Sequence, residues 1–133
     1  MNQKTKITGW CKSHPKQKEI NMGYTNYWRQ YNNFTDIEWY KIKEEYKYIK
    51  ETCKDIIEDD THEDNEIVFN GKGENGHETF VLNKNIMTVK EYPEQDLSFN
   101  FCKTRMKPYD IAVWYLLCYI NRICPKISIS RDR

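Results

Sequence analysis

The chain of 133 residues carries 21 basic and 20 acidic residues, which gives a formal net charge of +1, and 38% of its residues are hydrophobic. That length suits one domain with a substantial core and is too short for two. Because the charges nearly balance, the composition excludes a bulk nucleic-acid coat or a membrane-surface protein, and any anion site has to come from a local patch of cations.

Residues 1–21 are polar, lysine-rich and aperiodic, so they predict a flexible N-terminal extension ahead of a single domain over residues 22–133. Cys11 and His14 have ligand-like spacing, but no second Cys/His pair follows at zinc-site distance, and no metal or other cofactor is predicted. The extension lacks the apolar run of a signal peptide, and no stretch reaches the roughly 18 to 20 apolar residues of a membrane span. The five cysteines, an odd number, favour reduced thiols. The chain is therefore expected in the cytoplasm, without a membrane partner.

Local patterns predict the first strand and the first helix. Residues 23–31 ("GYTNYWRQY") are rich in β-formers and predict a strand. Thr35, with Glu38 three residues later, is typical of a capping box that begins a helix. Apolar residues then recur every three or four positions, which predicts one buried helical stripe. The stripe consists of Trp39, Ile42, Tyr46, Ile49, Cys53 and Ile56.

Short elements are predicted in the middle of the chain. Residues 55–66 ("DIIEDDTHEDNE") are strongly acidic and predict the end of the helix and a solvated loop, without the residue order of a calcium loop. Residues 66–71 and 78–84 predict two short strands joined by a glycine-containing loop. Residues 87–93 ("MTVKEYP") form either a further short strand or only a connection.

The last third of the chain predicts a strand, a buried helix and a final strand. Apolar and polar residues alternate in "DLSFNFCKT", which is typical of a half-buried strand. The two sets are Leu97, Phe99 and Phe101 against Ser98, Asn100 and Cys102. Pro108 suits the first turn of a helix, and residues 108–124 are apolar almost all round, which predicts a central buried helix that Pro125 ends. "KISIS" predicts the final strand. The predicted fold is α+β, a mostly antiparallel sheet of four to six strands with two helices packed on it.

The link "FCKTRMKPYD" (residues 101–110) is the first candidate ligand site. It places cations, a hydroxyl and a phenol between a strand and the positive end of a helix, a combination that favours phosphate. The candidate ligand-binding residues here are Lys103, Thr104, Arg105, Lys107 and Tyr109. The Gly-x-x-x-x-Gly-Lys order of a P-loop is absent, which excludes that class of ATPase. Alternatively, these cations are ordinary surface residues around a helix that starts with proline.

Two other motifs carry candidate residues. His77 could act as a general acid or base, with Glu78 or Asp110 assisting, or it could be a loop residue that only forms hydrogen bonds. Cys102 is the nearest candidate nucleophile. The side chains of "GYTNYW" could stack on a nucleobase or sugar, or they could pack against the helices. The candidate ligand-binding residues of that motif are Tyr24, Thr25, Asn26, Tyr27 and Trp28.

Together, "MGYTNYW", "FNGKGENGHETF" and "FCKTRMKPYD" resemble a family of small, uncharacterised bacterial and phage proteins. The family motifs are Gly-Tyr-Thr-His-Tyr-Trp, Gly-His-Glu-Thr-Phe and Phe-Cys-Lys-Thr-x-x-Lys-Pro-Tyr-Asp, and the likeness runs from Met22 to about Asp132. It implies that Met22 aligns with the usual start. It also implies that Asn26 replaces the family's usual histidine, so a metal ligand or catalytic base at that position would be lost here. Asparagine still forms hydrogen bonds but shuttles no protons, so binding survives this change better than catalysis does.

The leading hypothesis is non-enzymatic binding of a phosphorylated small molecule, with a nucleotide as the favoured ligand. The abundance of Asn, Lys, Ile and Tyr suggests AT-rich coding, which fits a virus or an AT-rich microbe. In a virus, such a protein could sequester a host immune signal in the host cytoplasm. A homo-oligomer is expected, because such pockets often form between subunits. The near-neutral charge argues against nucleic acid as a partner. One alternative is an enzyme that acts on a phosphoester or nucleotide through His77, Glu78 and Asp110. The other is a protein–protein interaction module that uses the aromatic strand and the acidic loop.

Overall fold

The computed structural model describes residues 25–86 and 98–132, in the element order β-α-β-β-β-β-α-β. The elements are β1 (Thr25–Gln30), α1 (Asp36–Thr52), β2 (Ile57–Asp59), β3 (Glu66–Gly71), a 3-10 turn (Gly73–Asn75), β4 (Phe80–Asn83), β5 (Phe99–Lys103), α2 (Asp110–Ile123) and β6 (Ile127–Arg131). The predicted α+β class is confirmed. The predicted N-terminal extension and the possible strand at residues 87–93 lie outside the described residues.

The strands form two antiparallel sheets of three strands each, in the orders β5-β1-β6 and β2-β3-β4. A single sheet was predicted. Two sheets form because β1 pairs with β5 and β6 from the last part of the described sequence, whereas β2, β3 and β4 pair with one another. Such pairing depends on packing between distant segments, which the alternation within one strand does not encode.

Helix α1 begins as the sequence predicts. The Thr35 side chain accepts a hydrogen bond from the Glu38 backbone N–H (3.1 Å), and the Glu38 carboxylate accepts one from the Thr35 backbone N–H (2.9 Å), so the capping box is confirmed. The predicted stripe is also confirmed along the helix, where Trp39, Ile42 and Ile49 are buried in the core.

The acidic segment departs from the prediction. It was expected to be a loop, but Ile57–Asp59 forms strand β2, an edge strand paired with β3. The Ile57 side chain is buried, whereas Glu58 and Asp59 are exposed. Acidic side chains are compatible with an edge strand, and this short strand is held by the buried Ile57 and by the Asp59 carboxylate, which accepts a hydrogen bond from the Tyr46 hydroxyl (2.5 Å).

The core brings both sheets together with both helices. Three aromatic rings join the sheets, because the ring of Phe80 in β4 lies 5.1 Å from that of Trp28 in β1 and 5.0 Å from that of Phe69 in β3, measured between centroids. Helix α2 contributes an almost entirely apolar surface, with Leu116 and Leu117 among its fully buried side chains. The predicted burial of this helix is confirmed, although its first residue is Asp110 rather than Pro108.

Gly71 is expected to tolerate no side chain. A Cβ atom at this position would lie 2.1 Å from the backbone oxygen of Asn75 and 2.9 Å from the Tyr109 ring, so the backbone would have to move. We expect Gly71→Ala to lower the free energy of unfolding by about 3 kcal/mol, as measured by urea denaturation. The matched control is Gly73→Ala, which meets no atom within 4 Å but has a φ of +53°. It should cost only about 1 kcal/mol. Equal losses in the two variants would contradict the predicted clash.

Candidate functional site

The three sequence motifs meet where β5 leads into α2. The backbone N–H of Glu78 donates to the Lys103 carbonyl (3.2 Å), and the Lys103 N–H donates to the Glu78 carboxylate (2.6 Å). The Tyr109 hydroxyl donates to the Glu78 carbonyl (2.6 Å), which links "FCKTRMKPYD" to "FNGKGENGHETF". Asn26, from "MGYTNYW", donates to Asp110 of "FCKTRMKPYD". The chain therefore builds one site from segments that are widely separated in sequence.

Three buried polar side chains and the partly buried Arg131 form a cluster beneath this site. The Asp110 carboxylate, 1% exposed, accepts hydrogen bonds from Asn26 Nδ2 (2.7 Å) and Thr104 Oγ1 (2.6 Å) and forms a salt bridge with Arg131. The Arg131 guanidinium also lies over the Trp114 ring, at 4.7 Å from the centroid. Asp110 occupies the first turn of α2, where the helix dipole favours a negative charge. The cluster thus fixes the start of α2 against both β1 and β6.

A tight turn connects β5 to α2. The Lys107 backbone N–H donates to the Thr104 carbonyl (3.0 Å), and the two residues between them, Arg105 and Met106, have φ angles of 52° and 62°. Positive φ is uncommon for residues other than glycine, and here it occurs at two consecutive positions. The turn leaves Arg105 exposed beside the end of the first sheet.

The three predicted cations lie at the surface of this turn. Lys103 and Arg105 are exposed, and Lys107 is half-buried with its Nζ donating to the Glu74 carbonyl (3.2 Å). None of the three forms a salt bridge with any residue in the described parts of the chain. Their positive charge is therefore uncompensated by direct ion pairing within those ranges.

The start of α2 differs from the arrangement predicted for phosphate binding. Its first backbone N–H groups are already occupied, since Asp110 donates to the Lys107 carbonyl (3.0 Å) and Ile111 donates to the Pro108 carbonyl (3.3 Å). The Asp110 carboxylate also stands at this end of the helix and supplies the negative charge that the dipole favours. An anion at the link would therefore be held by the cationic side chains and not by the helix start.

The candidate general acid–base and nucleophilic groups occupy different environments. His77 is exposed, and its backbone N–H and carbonyl are both bonded to the Asn70 side chain. The Cys102 thiol is buried, and burial, reinforced by the nearby Glu78 charge, raises its pKa to about 12. Because the thiolate is the nucleophile, Cys102 is unreactive at neutral pH. Among the polar candidates, Asp110 lies beneath the surface with its oxygens occupied, and Glu78 is half-buried.

The aromatic candidates of β1 face opposite ways. Trp28 is 3% exposed and packs in the core, so it cannot stack on a ligand. Thr25 and Asn26 are buried as well, and Tyr24 lies outside the described residues. Tyr27 points to the outer face of the first sheet, where its hydroxyl donates to the Asp132 carboxylate (3.2 Å).

Two exposed phenylalanines on β5 were missed as site residues. Phe99 is 44% exposed and Phe101 is 56% exposed, while Cys102, on the opposite face, is buried. The predicted half-buried strand thus turns its aromatic side outward. Alternation predicts that a strand has two different faces, but the element that packs on it decides which face is buried. Here the hydrophobic core covers the Cys102 side.

These phenylalanines belong to what we call the aromatic face. It is the outer surface of the first sheet and consists of Tyr27, Arg29, Phe99, Phe101 and Lys103. Across the strands Tyr27 is opposite Phe101, and Arg29 is opposite Phe99. The Tyr27 and Phe99 rings are nearly parallel, at 24° and 6.0 Å between centroids, and the Arg29 guanidinium lies 5.4 Å from the Phe99 centroid. A shallow groove of about 260 Å³ lies on this face between Tyr27, Arg29 and Phe99 and the serines of β6.

Comparisons of the chain with protein-family models, with curated proteins and with solved structures found no match. The resemblance based on the three motifs therefore stays a prediction.

In the described ranges, neither helix is long and apolar enough to cross a lipid bilayer. No three His, Cys, Asp or Glu side chains of residues 25–86 and 98–132 lie together in a way that could hold a metal ion. Function has to be inferred from the geometry of the site itself.

Proposed function

We propose that the chain binds a nucleotide, without converting it, where the aromatic face meets the β5–α2 link. One observation carries the proposal: the outward-facing Tyr27–Phe101 pair and the cation Lys103 share one face of the sheet, and Arg105 follows directly beyond it. An aromatic surface beside cations that form no ion pair within residues 25–86 and 98–132 matches the two chemical halves of a nucleotide, a flat base and an anionic phosphate.

The base would stack on the exposed ring of Phe101, with Tyr27 beside it. Aromatic side chains stack with any base, because every base has a π face, and each such contact contributes about 1–3 kcal/mol. Strand pairing fixes the backbone positions of both residues, in a sheet whose central strand is β1.

The phosphates would lie against Lys103, Arg105 and Lys107. Lysine supplies a point charge and arginine a planar fork for phosphate oxygens. The Glu78 carboxylate next to this link is engaged by the Lys103 backbone N–H. The buried cluster beneath the turn supports this arrangement, because Thr104 at the start of the turn is bonded to Asp110.

Binding is favoured over catalysis by the state of the candidate reactive groups. Asp110 is buried and occupied by three donors, and Cys102 is a buried neutral thiol. His77 is exposed but has no oriented carboxylate partner in the described ranges. In the viral setting suggested by composition, a homo-oligomer of this chain would sequester a host immune nucleotide signal in the host cytoplasm.

Isothermal titration calorimetry with the four ribonucleoside 5′-monophosphates and their triphosphates tests the proposal. We expect the unmodified protein to bind at least one of them at micromolar concentration. Phe101→Ala and Lys103→Ala should each weaken that binding about 5- to 100-fold, since a stacking contact or a charged hydrogen bond contributes about 1–3 kcal/mol. The matched control is Lys47→Ala, which removes an exposed cation from α1 and should leave the affinity unchanged.

Two results would contradict the proposal. One is the absence of nucleotide binding by the unmodified protein. The other is an equal affinity in Phe101→Ala, Lys103→Ala and Lys47→Ala. Turnover of a bound nucleotide that is lost in His77→Ala, while binding persists, would instead assign the site to an enzyme.

A further inference from the structure

Two Asn-Gly pairs lie at the end of β3 and in the loop that follows it, Asn70–Gly71 and Asn75–Gly76. Glycine after asparagine favours deamidation, because glycine has no Cβ to hinder the approach of its own nitrogen to the side chain. The glycine nitrogen bonds to the side-chain carbonyl carbon of asparagine, ammonia leaves, and a succinimide ring forms. Water then opens the ring and gives aspartate or isoaspartate. The structure places the two pairs in opposite environments.

The side-chain amide of Asn70 is fully bonded. Its Oδ1 accepts hydrogen bonds from the backbone N–H groups of Gly71 (2.7 Å) and His77 (3.0 Å). Its Nδ2 donates to the His77 carbonyl (3.0 Å) and to the Thr79 hydroxyl (3.2 Å). Ring closure requires the side-chain carbonyl to turn and Nδ2 to leave, so these bonds oppose both steps. Gly71 is also buried and paired with Ile57 of β2, which restricts its backbone.

Asn75 has none of this protection. Its side chain is exposed, and within residues 25–86 and 98–132 it forms no hydrogen bond. It is the last residue of the 3-10 turn, and the Gly76 N–H donates to the Gly73 carbonyl at 3.2 Å. That length is at the long end for such a bond, and 3-10 turns have poorer hydrogen-bond geometry than α-helices. Opening this bond frees the Gly76 nitrogen to turn towards the Asn75 side chain.

Packing keeps the glycine that makes Asn75 reactive. A Cβ atom on Gly76 would lie 2.7 Å from the Gly71 carbonyl oxygen and 2.8 Å from Asn70 Oδ1, so a larger residue would force the backbone to shift. From these contacts we infer that Asn75 is a site of spontaneous deamidation, with water as the co-reactant and ammonia as the leaving group. The folded chain protects Asn70 from the same reaction.

Deamidation changes this loop in charge and in shape. A carboxylate at position 75 follows Glu74, whose carbonyl accepts a hydrogen bond from Lys107 Nζ (3.2 Å). Isoaspartate also lengthens the main chain by a carbon atom at a tightly packed point, since a Cβ on Gly71 would lie 2.1 Å from the Asn75 carbonyl oxygen. A consequence that rests on the proposed function is that the new negative charge weakens phosphate binding at Lys107.

Peptide mapping by mass spectrometry measures the two sites separately, because trypsin cleaves after Lys72 and puts Asn70 and Asn75 on different peptides. The folded protein is incubated at mildly alkaline pH and sampled over time. We expect Asn75 to deamidate at least about tenfold faster than Asn70, since several hydrogen bonds must open at Asn70. The same incubation in urea removes the folded environment and should bring the two rates together.

The control is Asn75→Gln, whose longer side chain closes the ring far more slowly and should remove the fast reaction. Equal rates at Asn70 and Asn75 in the folded protein, or a faster rate at Asn70, would overturn the inference. A difference in rate that persists in urea would also overturn it, because the difference would then come from the local sequence and not from the fold.

Calorimetry on Asn75→Asp tests the consequence for binding, because this variant carries the new charge from the start. We expect its nucleotide affinity to be about two- to fivefold weaker at low salt and the difference to disappear at high salt. An unchanged affinity at low salt would overturn the link to Lys107 alone. If the unmodified protein binds no nucleotide, the proposed function fails, while the peptide map still decides whether Asn75 is the modification site.

Discussion

Replacing Phe80 by alanine is expected to lower the free energy of unfolding by about 3–5 kcal/mol. Phe80 is fully buried, and its ring contacts Trp28 of the first sheet and Phe69 of the second. The substitution removes the apolar surface that joins the two sheets and leaves a cavity that neighbouring aromatic rings can fill only in part. Urea denaturation followed by the fluorescence of the buried tryptophans measures the loss.

The neighbouring Val81 supplies the matched control. It lies on the same strand but faces the other way and is 40% exposed. Val81→Ala should therefore cost less than about 1 kcal/mol. If Phe80→Ala is no more destabilising than Val81→Ala, the two sheets do not depend on this aromatic contact.

Asp110→Asn is expected to lower the free energy of unfolding by about 3 kcal/mol. Removing one member of a buried ion pair leaves the other charge without compensation, which typically costs about 3–5 kcal/mol. Arg131 keeps some exposure, so the lower end of that range applies. Because the pair is largely shielded from solvent, the loss should persist at high salt, as measured by urea denaturation at two ionic strengths.

A more exposed carboxylate and a double variant provide the controls. Asp36 pairs with Lys84, and because the Asp36 side chain is 93% exposed, Asp36→Asn should cost less than about 1 kcal/mol. Asp110→Asn combined with Arg131→Met removes both charges and should recover part of the lost stability. Additive losses in the double variant would mean that the two side chains contribute independently.

The parts of the fold that were predictable are those set by local chemistry. Helix α1 has its start encoded by Thr35 and Glu38 and its buried face by residues three or four positions apart. Helix α2 is recognisable because almost all of its residues are apolar. Neither signal depends on what the rest of the chain does, which is why both predictions were confirmed.

The features that could not be predicted depend on distant partners. Phe101 and Cys102 are neighbours in β5, and the smaller of the two is the buried one because the core lies on its side. The acidic composition of residues 55–66 also gave no sign of β2, which pairs with β3 and whose Asp59 is bonded to Tyr46 of α1. Tyr27 and Trp28 were treated together as stacking candidates, although adjacent strand residues face opposite sides and only one of them can reach a ligand.

The candidate site also combines residues that were predictable from local motifs with one residue that was not. Asn26, Thr104 and Asp110 were singled out from their motifs, and they lie together in the structure. Arg131 completes their cluster but carries no motif of its own. The one available signal was its place at the end of an alternating strand, "ISISR", where a charged residue follows on the side of the two isoleucines.

The position of β1 in the middle of its sheet also has a consequence for biosynthesis. A nascent chain produces β1 early, yet both strands that flank it, β5 and β6, come from the last part of the described sequence. The neighbouring sheet β2-β3-β4 has only local partners and needs much shorter loops to close. β1 therefore cannot form its sheet until β5 and β6 have been synthesised. The site that β1 helps to build can assemble only after Arg131 has been added.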